Sequence, residues 1–138
     1  MSNAAASFVA LSREDIAVAR TLAKAHPRSA AFHVEQAAEK LLKAVLSAEG
    51  IVFSTGHHQL GRLAELLPPD HIWRADLMAF DAYTTFATAM RYPRPGGDLP
   101  WPPSQDEIEA AIANVASLIG EIDDWCREKL ADKKPKRR

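Results

Sequence analysis

The chain has 138 residues and a formal net charge of −1, and this length indicates one domain that buries about two-thirds of the surface exposed by its unfolded chain. Its single cysteine, Cys126, excludes an intrachain disulfide and a cysteine-rich zinc site. No apolar run approaches the roughly 18 residues that a membrane-spanning helix needs. We therefore expect a soluble protein of the reducing cytoplasm, without a membrane partner.

The charge is distributed unevenly, because five basic residues lie within the last six positions. Without these five positive charges the rest of the chain carries −6, so its body is a poor general surface for phosphate. We expect residues 131–138 to be a basic disordered tail. Residues 1–11 are expected to be a disordered segment or a tag remnant, which leaves residues 12–130 as the folded domain.

Capping signals and helical spacing predict two helices in the first part of this domain. Ser12 and Asp15 resemble a capping box at the start of the first helix, which ends before Pro27. Ser29 can cap the second helix, and Gly50 supplies its left-handed stop. The second helix is apolar over a wide arc, which indicates a central position in a bundle.

Three further helices follow in the second half. A short third helix ends at Pro68, and a long fourth helix is expected from Asp70 to about Tyr92. Residues 93–103 contain five prolines and two glycines and predict a stiff irregular loop. Ser104 starts a fifth amphipathic helix. With no strand pattern visible, the fold class is all-α, an up-and-down bundle of about five helices.

A row of polar side chains on the second helix is the strongest candidate for a binding site. His33, Gln36, Lys40 and Lys43 recur at intervals of three and four residues, so they share a sector of about 80° beside the apolar arc. One imidazole, one amide and two ammonium groups suit a nucleotide or phosphate. The alternative is that the lysines form a solvated face, with Glu39 and Lys43 as an ordinary exposed ion pair.

Other candidates lie outside this helix. Arg91 and Tyr92 could offer a planar fork and an aromatic face to a nucleotide, although Arg91 could also be a charge that complements the end of its helix. His57 and His58 are adjacent, so they do not form a chelating pair, and we expect neither a metal site nor a cofactor. The sequence has no phosphate loop, nucleophile elbow or cysteine–histidine arrangement, and no catalytic residue is predicted.

The second helix also carries a family resemblance. Its segment Phe32-His33-Val34-Glu35-Gln36-Ala37-Ala38-Glu39-Lys40-Leu41-Leu42-Lys43-Ala44 resembles the HEPN family, the higher-eukaryote and prokaryote nucleotide-binding domain. Two later segments are similar to further family signatures. These are His58-Gln59-Leu60 and Ala89-Met90-Arg91-Tyr92-Pro93. The resemblance covers residues 12–130 and implies a small helical bundle.

The resemblance also implies a set of functions. HEPN proteins commonly dimerise through their long helices, bind nucleotides, and in some branches cleave RNA without a metal ion. Many bacterial members accompany a minimal nucleotidyltransferase, in several cases as a toxin–antitoxin pair. The ribonuclease branches use an Arg followed four to six residues later by a His, and after Arg91 those positions hold Gly96, Gly97 and Asp98. The ribonuclease motif is therefore absent there.

We accordingly predict a non-catalytic module that binds a nucleotide, RNA or a nucleotidyltransferase partner and forms a homodimer. The binding residues are expected to be His33, Gln36, Lys40, Lys43, His58, Arg91 and Tyr92. Two alternatives remain open. One is a ribonuclease of unusual residue usage, in which His33 or His58 is the general acid–base and Arg91 stabilises the phosphorane. The other is a purely structural, dimerising bundle.

Overall fold

The computed structural model describes residues 2–54, 59–88 and 92–132, and all regular structure in these ranges is helical. This confirms the predicted all-α fold. The described ranges contain five helical segments when the three consecutive short helices of residues 74–88 are counted as one. Within the same ranges no helix has the length and hydropathy required to cross a membrane. The elements are α1 (Ser2–Leu22), α2 (Pro27–Ala48), α3 (Leu60–Ala64), α4 (Arg74–Met78), a 3₁₀ helix (Ala79–Tyr83), α5 (Thr84–Thr88) and α6 (Gln105–Asp132).

Helices α1, α2 and α6 form the frame of the bundle. The connection between α1 and α2 is only four residues long, so the two helices run antiparallel, and α6 packs against both. The contact face of α2 is rich in fully buried alanines, which allow the helix axes to approach closely. The fully buried residues of α2 are Ala30, Ala31, Val34, Ala37, Ala38, Leu41, Leu42, Ala44, Val45 and Leu46.

The beginning of α1 corrects the sequence prediction. The helix starts at Ser2, so residues 2–11 are ordered helix and not a disordered segment. The physical reason is that Ala5 and Val9 keep the helical spacing of the apolar residues in the later turns of α1. Both are packed in the core, where they are 0% and 4% exposed. Ser12 therefore lies in mid-helix and does not cap it. Its Oγ is buried and donates to the carbonyl oxygen of Ala37 across the α1–α2 contact, at 2.7 Å.

Helix α2 ends as its sequence indicates, and it begins slightly earlier. Its first residue is Pro27, which suits the first helical turn because proline has no N–H to leave unpaired, so Ser29 is not the cap. At the other end Gly50 adopts φ +69°, and the N–H of Ile51 donates to the carbonyl of Leu46 at 2.9 Å. This left-handed glycine turns the chain out of the helix, as predicted.

The predicted long fourth helix is wrong, because the structure divides it into α4, the 3₁₀ helix and α5. Two side chains from the divided region accept hydrogen bonds from the first two backbone N–H groups of α3. Asp81 Oδ1 accepts from the backbone N–H of Gly61 at 3.0 Å, and Thr84 Oγ1 accepts from the N–H of Leu60 at 3.1 Å. A Cβ at position 61 would lie 2.8 Å from Asp81 Oδ1, so a larger residue there would displace the Asp81 side chain that accepts this bond. Asp70 lies in a turn ahead of α4 and does not begin it.

The proline-rich loop is irregular, as predicted, and it is held at two points. The N–H of Arg94 donates to the carbonyl of Asp98 at 2.8 Å, and Gly97 adopts φ +91°, which closes a tight turn. Arg28, at the start of α2, donates through Nη2 to the carbonyl of Pro100 at 2.6 Å. Pro100 itself is buried. The first bond shapes the loop itself, and the Arg28 bond fixes it against the end of the bundle where α2 begins.

Helix α6 begins where the capping signal places it. The N–H of Glu107 donates to Ser104 Oγ at 3.1 Å, and the predicted apolar stripe faces the core over Ile108, Ile112, Val115, Ile119 and Ile122. The helix continues to Asp132, so residues 131 and 132 belong to it and not to a disordered tail. The rest of the predicted tail, residues 133–138, lies outside the described residues.

Replacing Ser104 by alanine should lower the free energy of unfolding by about 1 kcal/mol, because the first turn of α6 loses its side-chain acceptor. Urea unfolding followed by circular dichroism measures the change. Ser117→Ala is the matched control, since Ser117 is exposed in the interior of the same helix, where alanine is favoured. Equal behaviour of the two variants would contradict the capping role.

Candidate functional site

Asp15 of α1 organises one end of the polar row on α2. Asp15 is buried, with 12% of its side chain exposed, and its Oδ1 lies 3.0 Å from Nδ1 of His33. Its second oxygen, Oδ2, accepts from the ammonium group of Lys40. His33 and Lys40 lie two turns apart on α2 and keep about a quarter of their side chains exposed. Because Nδ1 faces Asp15, Nε2 is the ring nitrogen left to meet a ligand.

Asp15 is a site residue that sequence reasoning missed. Its position three residues after Ser12 is typical of a helix cap, which is what the sequence predicts for it. The missed signal was that Asp15 adjoins the buried Ile16 on a helix whose apolar spacing extends towards residue 2. A carboxylate at such a position needs a cationic or hydrogen-bonding partner, and the next helix provides two.

Gln36 belongs to a second pair within the row. Its Nε2 donates to Oε2 of Glu35 at 2.8 Å, and Glu35 is 1% exposed. The pKa of the Glu35 carboxyl is raised from 4.5 to about 7. Burial is the main cause and the charges of Glu39 and Asp15 add to it, whereas the Gln36 hydrogen bond and Lys43 act in the opposite direction. Near neutral pH this buried group therefore exchanges a proton with solvent.

Lys43 is held at the other end of the row. Its ammonium group lies 3.5 Å from Glu39 Oε2, and both side chains are only 13% exposed. The same ammonium group lies 5.8 Å above the centroid of the Phe53 ring, and Phe53 packs against Phe8 of α1. The predicted Glu39–Lys43 pair therefore exists, but it is largely covered and is not a freely solvated face.

The row as a whole is balanced in charge. Lys40 and Lys43 each contact a carboxylate, and Gln36 donates to a third carboxylate, that of Glu35. Such compensation reduces the attraction for a free polyphosphate, because a phosphate must compete with Asp15 and Glu39 for the two ammonium groups. What the row offers a ligand is an oriented imidazole edge and an amide, with the Phe32 ring at 5.2 Å from the His33 ring.

Comparison with known proteins identifies the family. A family model described as the HEPN domain matches residues 10–125, which is most of the chain. The chain belongs to the HEPN domain family. A search of the curated proteins gave no significant match, and a search of the solved structures gave none. The resemblance of the α2 segment is thus confirmed at the level of the family and of its helical fold.

The remaining predicted site residues of this HEPN domain are only partly described. His58 and Arg91 lie outside the described residues, so their place in the site stays a prediction. Tyr92 is described and is 59% exposed at the start of the proline-rich loop. The loop is bound to Arg28 in the first turn of α2, about one turn before Phe32. This bond places the loop at the end of α2 from which the polar row begins.

A second polar cluster of the HEPN domain lies at the opposite end of α2. Glu49 Oε2 lies 2.7 Å from His71 Nε2, and Glu49 Oε1 lies 2.5 Å from Lys129 Nζ. Burial alone would raise the pKa of Glu49, but hydrogen bonds from Lys129 and His71 hold it below its ordinary value. The Trp125 ring packs edge-on against His71 and lies under the Lys129 ammonium group. This cluster joins α2, the segment before α4 and α6.

Groups of metal ligands and the thiol of Cys126 are two further features that bear on the chemistry of the described residues. No group of three or more metal-ligating side chains occurs among the described residues. Cys126 is buried, and burial together with Asp123 and Glu49 raises the pKa of its thiol to about 11. At neutral pH the thiol is protonated and is therefore a poor nucleophile.

Proposed function

We propose that this HEPN domain is a non-catalytic nucleotide-binding module whose binding surface is the polar row of α2 together with the adjoining loop. The observation that carries the proposal is the contact of Asp15 with both His33 and Lys40. It fixes the imidazole with Nε2 available and holds an ammonium group on the same helix face. Preorganised donors of this kind bind a ligand without a large entropic penalty.

The charge balance of the row favours a mononucleotide recognised through its base and sugar over a long polyanion. His33 and Gln36 supply neutral hydrogen-bonding groups, and Tyr92 at the loop supplies an exposed aromatic ring. Base stacking on aromatic rings contributes about 1–3 kcal/mol per base in nucleic-acid-binding proteins. Binding of this type depends weakly on salt, because few counterions are released.

Isothermal titration calorimetry with adenosine, AMP and ATP tests the proposal. Replacement of Lys40 by glutamine should weaken AMP binding at least about tenfold, the effect expected for one charged hydrogen bond. Lys24→Gln is the matched control, because Lys24 is exposed beyond the end of α1. Absence of heat with all three compounds, or equal weakening in both variants, would overturn the proposal. Arg91→Gln tests the predicted contribution of that residue.

A ribonuclease is the second candidate, because an Asp–His pair is a common way to position a general acid–base. The Asp15 carboxylate on Nδ1 orients the His33 ring and favours the tautomer in which Nε2 can accept a proton. Incubation of defined RNA with the purified domain in EDTA decides this. Cleavage that is lost in His33→Ala supports the ribonuclease, and intact RNA rules it out. His58→Ala and Arg91→Ala extend the test to the other predicted participants.

The partner is proposed to be a minimal nucleotidyltransferase, in a toxin–antitoxin-like pair in the cytoplasm, with the HEPN domain as a homodimer. The proposal follows from the family. Co-expression with a nucleotidyltransferase encoded beside this gene, followed by size-exclusion chromatography, tests the complex. Growth arrest on expression of one protein, relieved by the other, would support the pairing. If the two proteins migrate separately and neither affects growth, this part of the proposal fails.

A further inference from the structure

Trp101 is unusually exposed for a tryptophan. Its side chain is 87% exposed on the proline-rich loop, and Leu99 beside it is 58% exposed. The buried Pro100 lies between them and is held by Arg28 through its carbonyl, so the two apolar side chains project outwards. Exposed tryptophans are rare on isolated domains and are enriched at the centres of protein interfaces. A loop fixed in this way loses little entropy on binding.

An open cleft lies at the same end of the bundle, where α1 ends and α6 begins. It has a volume of about 240 Å³ and is lined by Arg20 and Ala23 of α1 and by Glu109, Ile112 and Ala113 of α6. Its floor is apolar, since Ala23 and Ile112 are almost fully buried, and its rim carries one cation and one carboxylate. An apolar cavity of about 150 Å³ accepts benzene, so this cleft has room for an indole ring.

We propose that the cleft receives Trp101 of a second copy of this chain, and that the two copies exchange their tryptophans reciprocally. The indole N–H donates to the Glu109 carboxylate, and the Arg20 guanidinium packs on the ring face. Trp101 and the cleft lie at the same end of the molecule, so a two-fold axis at that end can place each Trp101 in the cleft of the other copy and close the dimer. This inference rests on the homodimer in the proposed function and assigns its surface.

Among the described residues outside the proline-rich loop, the two most exposed large apolar side chains lie away from the cleft. Val52 and Ile72 are 91% and 68% exposed, but they lie near the opposite end of α2. Neither borders the cleft. Single exposed residues of this kind are ordinary features of protein surfaces. Ile72 therefore provides a control that is apolar, exposed and distant from the cleft.

Sedimentation equilibrium of the full chain and three variants tests the inference. Trp101→Ala removes the projection, Ala113→Lys blocks the cleft, and Ile72→Ala leaves both intact. The first two should weaken the dimer at least about thirtyfold, the effect expected of a tryptophan at the centre of an interface, and the third should match the wild type. Difference fluorescence against Trp101→Phe should show the Trp101 emission shifting to the blue as the wild-type protein dimerises.

Three results would overturn the inference. A dimer that persists in Trp101→Ala would place the interface elsewhere, while the homodimer itself would stand. A wild-type protein that stays monomeric at every concentration would remove both the homodimer and this interface, whereas nucleotide binding is measured separately by calorimetry. A monomer with blue-shifted Trp101 emission would show that the indole enters the cleft of its own chain.

Discussion

Glu35→Gln is expected to stabilise the domain at pH 8 and to leave its stability at pH 5 nearly unchanged. Glu35 is 1% exposed, and burial raises the pKa of its carboxyl to about 7. Above this pH the folded protein contains a buried negative charge, which glutamine replaces by a neutral group of the same shape. At pH 5 the folded wild type has already bound the proton, so little is gained by the substitution.

The direction of the pH dependence follows from the proton count. Between pH 4.5 and 7 the folded state binds a proton that the unfolded state has released, so the free energy of unfolding falls as the pH rises through this window. Each pKa unit corresponds to about 1.4 kcal/mol, so the full effect is about 3 kcal/mol. The stabilisation of the wild type is complete below pH 4.5 and is lost above pH 7.

Urea unfolding of the wild type and of Glu35→Gln from pH 5 to pH 8 measures this effect. Glu121→Gln is the matched control, because Glu121 is an exposed carboxylate on α6 and is not one of the charges that act on Glu35. The difference between the wild type and Glu35→Gln should depend on pH, and that between the wild type and Glu121→Gln should not. A wild type and a Glu35→Gln variant with parallel pH profiles would show that Glu35 is not the titrating group.

Asp15→Ala should lower the free energy of unfolding by about 2–3 kcal/mol and should also weaken nucleotide binding. Loss of one member of a buried ion pair typically destabilises by about 3–5 kcal/mol. The effect here is smaller because His33 and Lys40 keep a quarter of their side chains exposed and regain water. Nucleotide binding weakens because the imidazole is no longer held in one orientation.

Asp15→Asn distinguishes the two consequences. Asparagine can still accept a hydrogen bond from His33 Nδ1, but it no longer neutralises Lys40. The Asp15→Asn variant should therefore lose stability while retaining affinity for AMP, measured by urea unfolding and calorimetry. If Asp15→Ala binds AMP as tightly as the wild type, the Asp15 contact serves the fold and not the ligand.

Features of the fold that depend on residues close to one another in the sequence could be predicted. Gly50 after α2 and Ser104 before α6 act through hydrogen bonds to their own helices, so the local pattern contains the information needed to place them. The division of the fourth helix depends on Asp81 and Thr84 bonding to Gly61 and Leu60, about 20 residues earlier. Local spacing carries no signal of such a contact.

The candidate site was predicted in part for the same reason. The helical period grouped His33, Gln36, Lys40 and Lys43 correctly on one side of α2, because these intervals are set by the helix alone. The carboxylate that joins His33 to Lys40 comes from Asp15 on another helix, and its burial depends on how the two helices pack. The burial of Glu35 could have been predicted, since Glu35 lies on the same helix face as the buried Leu42.

The buried Cys126 provides the domain with an internal reporter of its own motions. It is the single thiol of the chain and is packed in α6 beside the cluster that joins this helix to Glu49. A thiol reagent can reach it only when this part of the bundle opens, so the rate of labelling follows the local opening equilibrium. Slower labelling in the presence of a nucleotide, or of the second copy, would reveal how far binding at the distant end rigidifies α6.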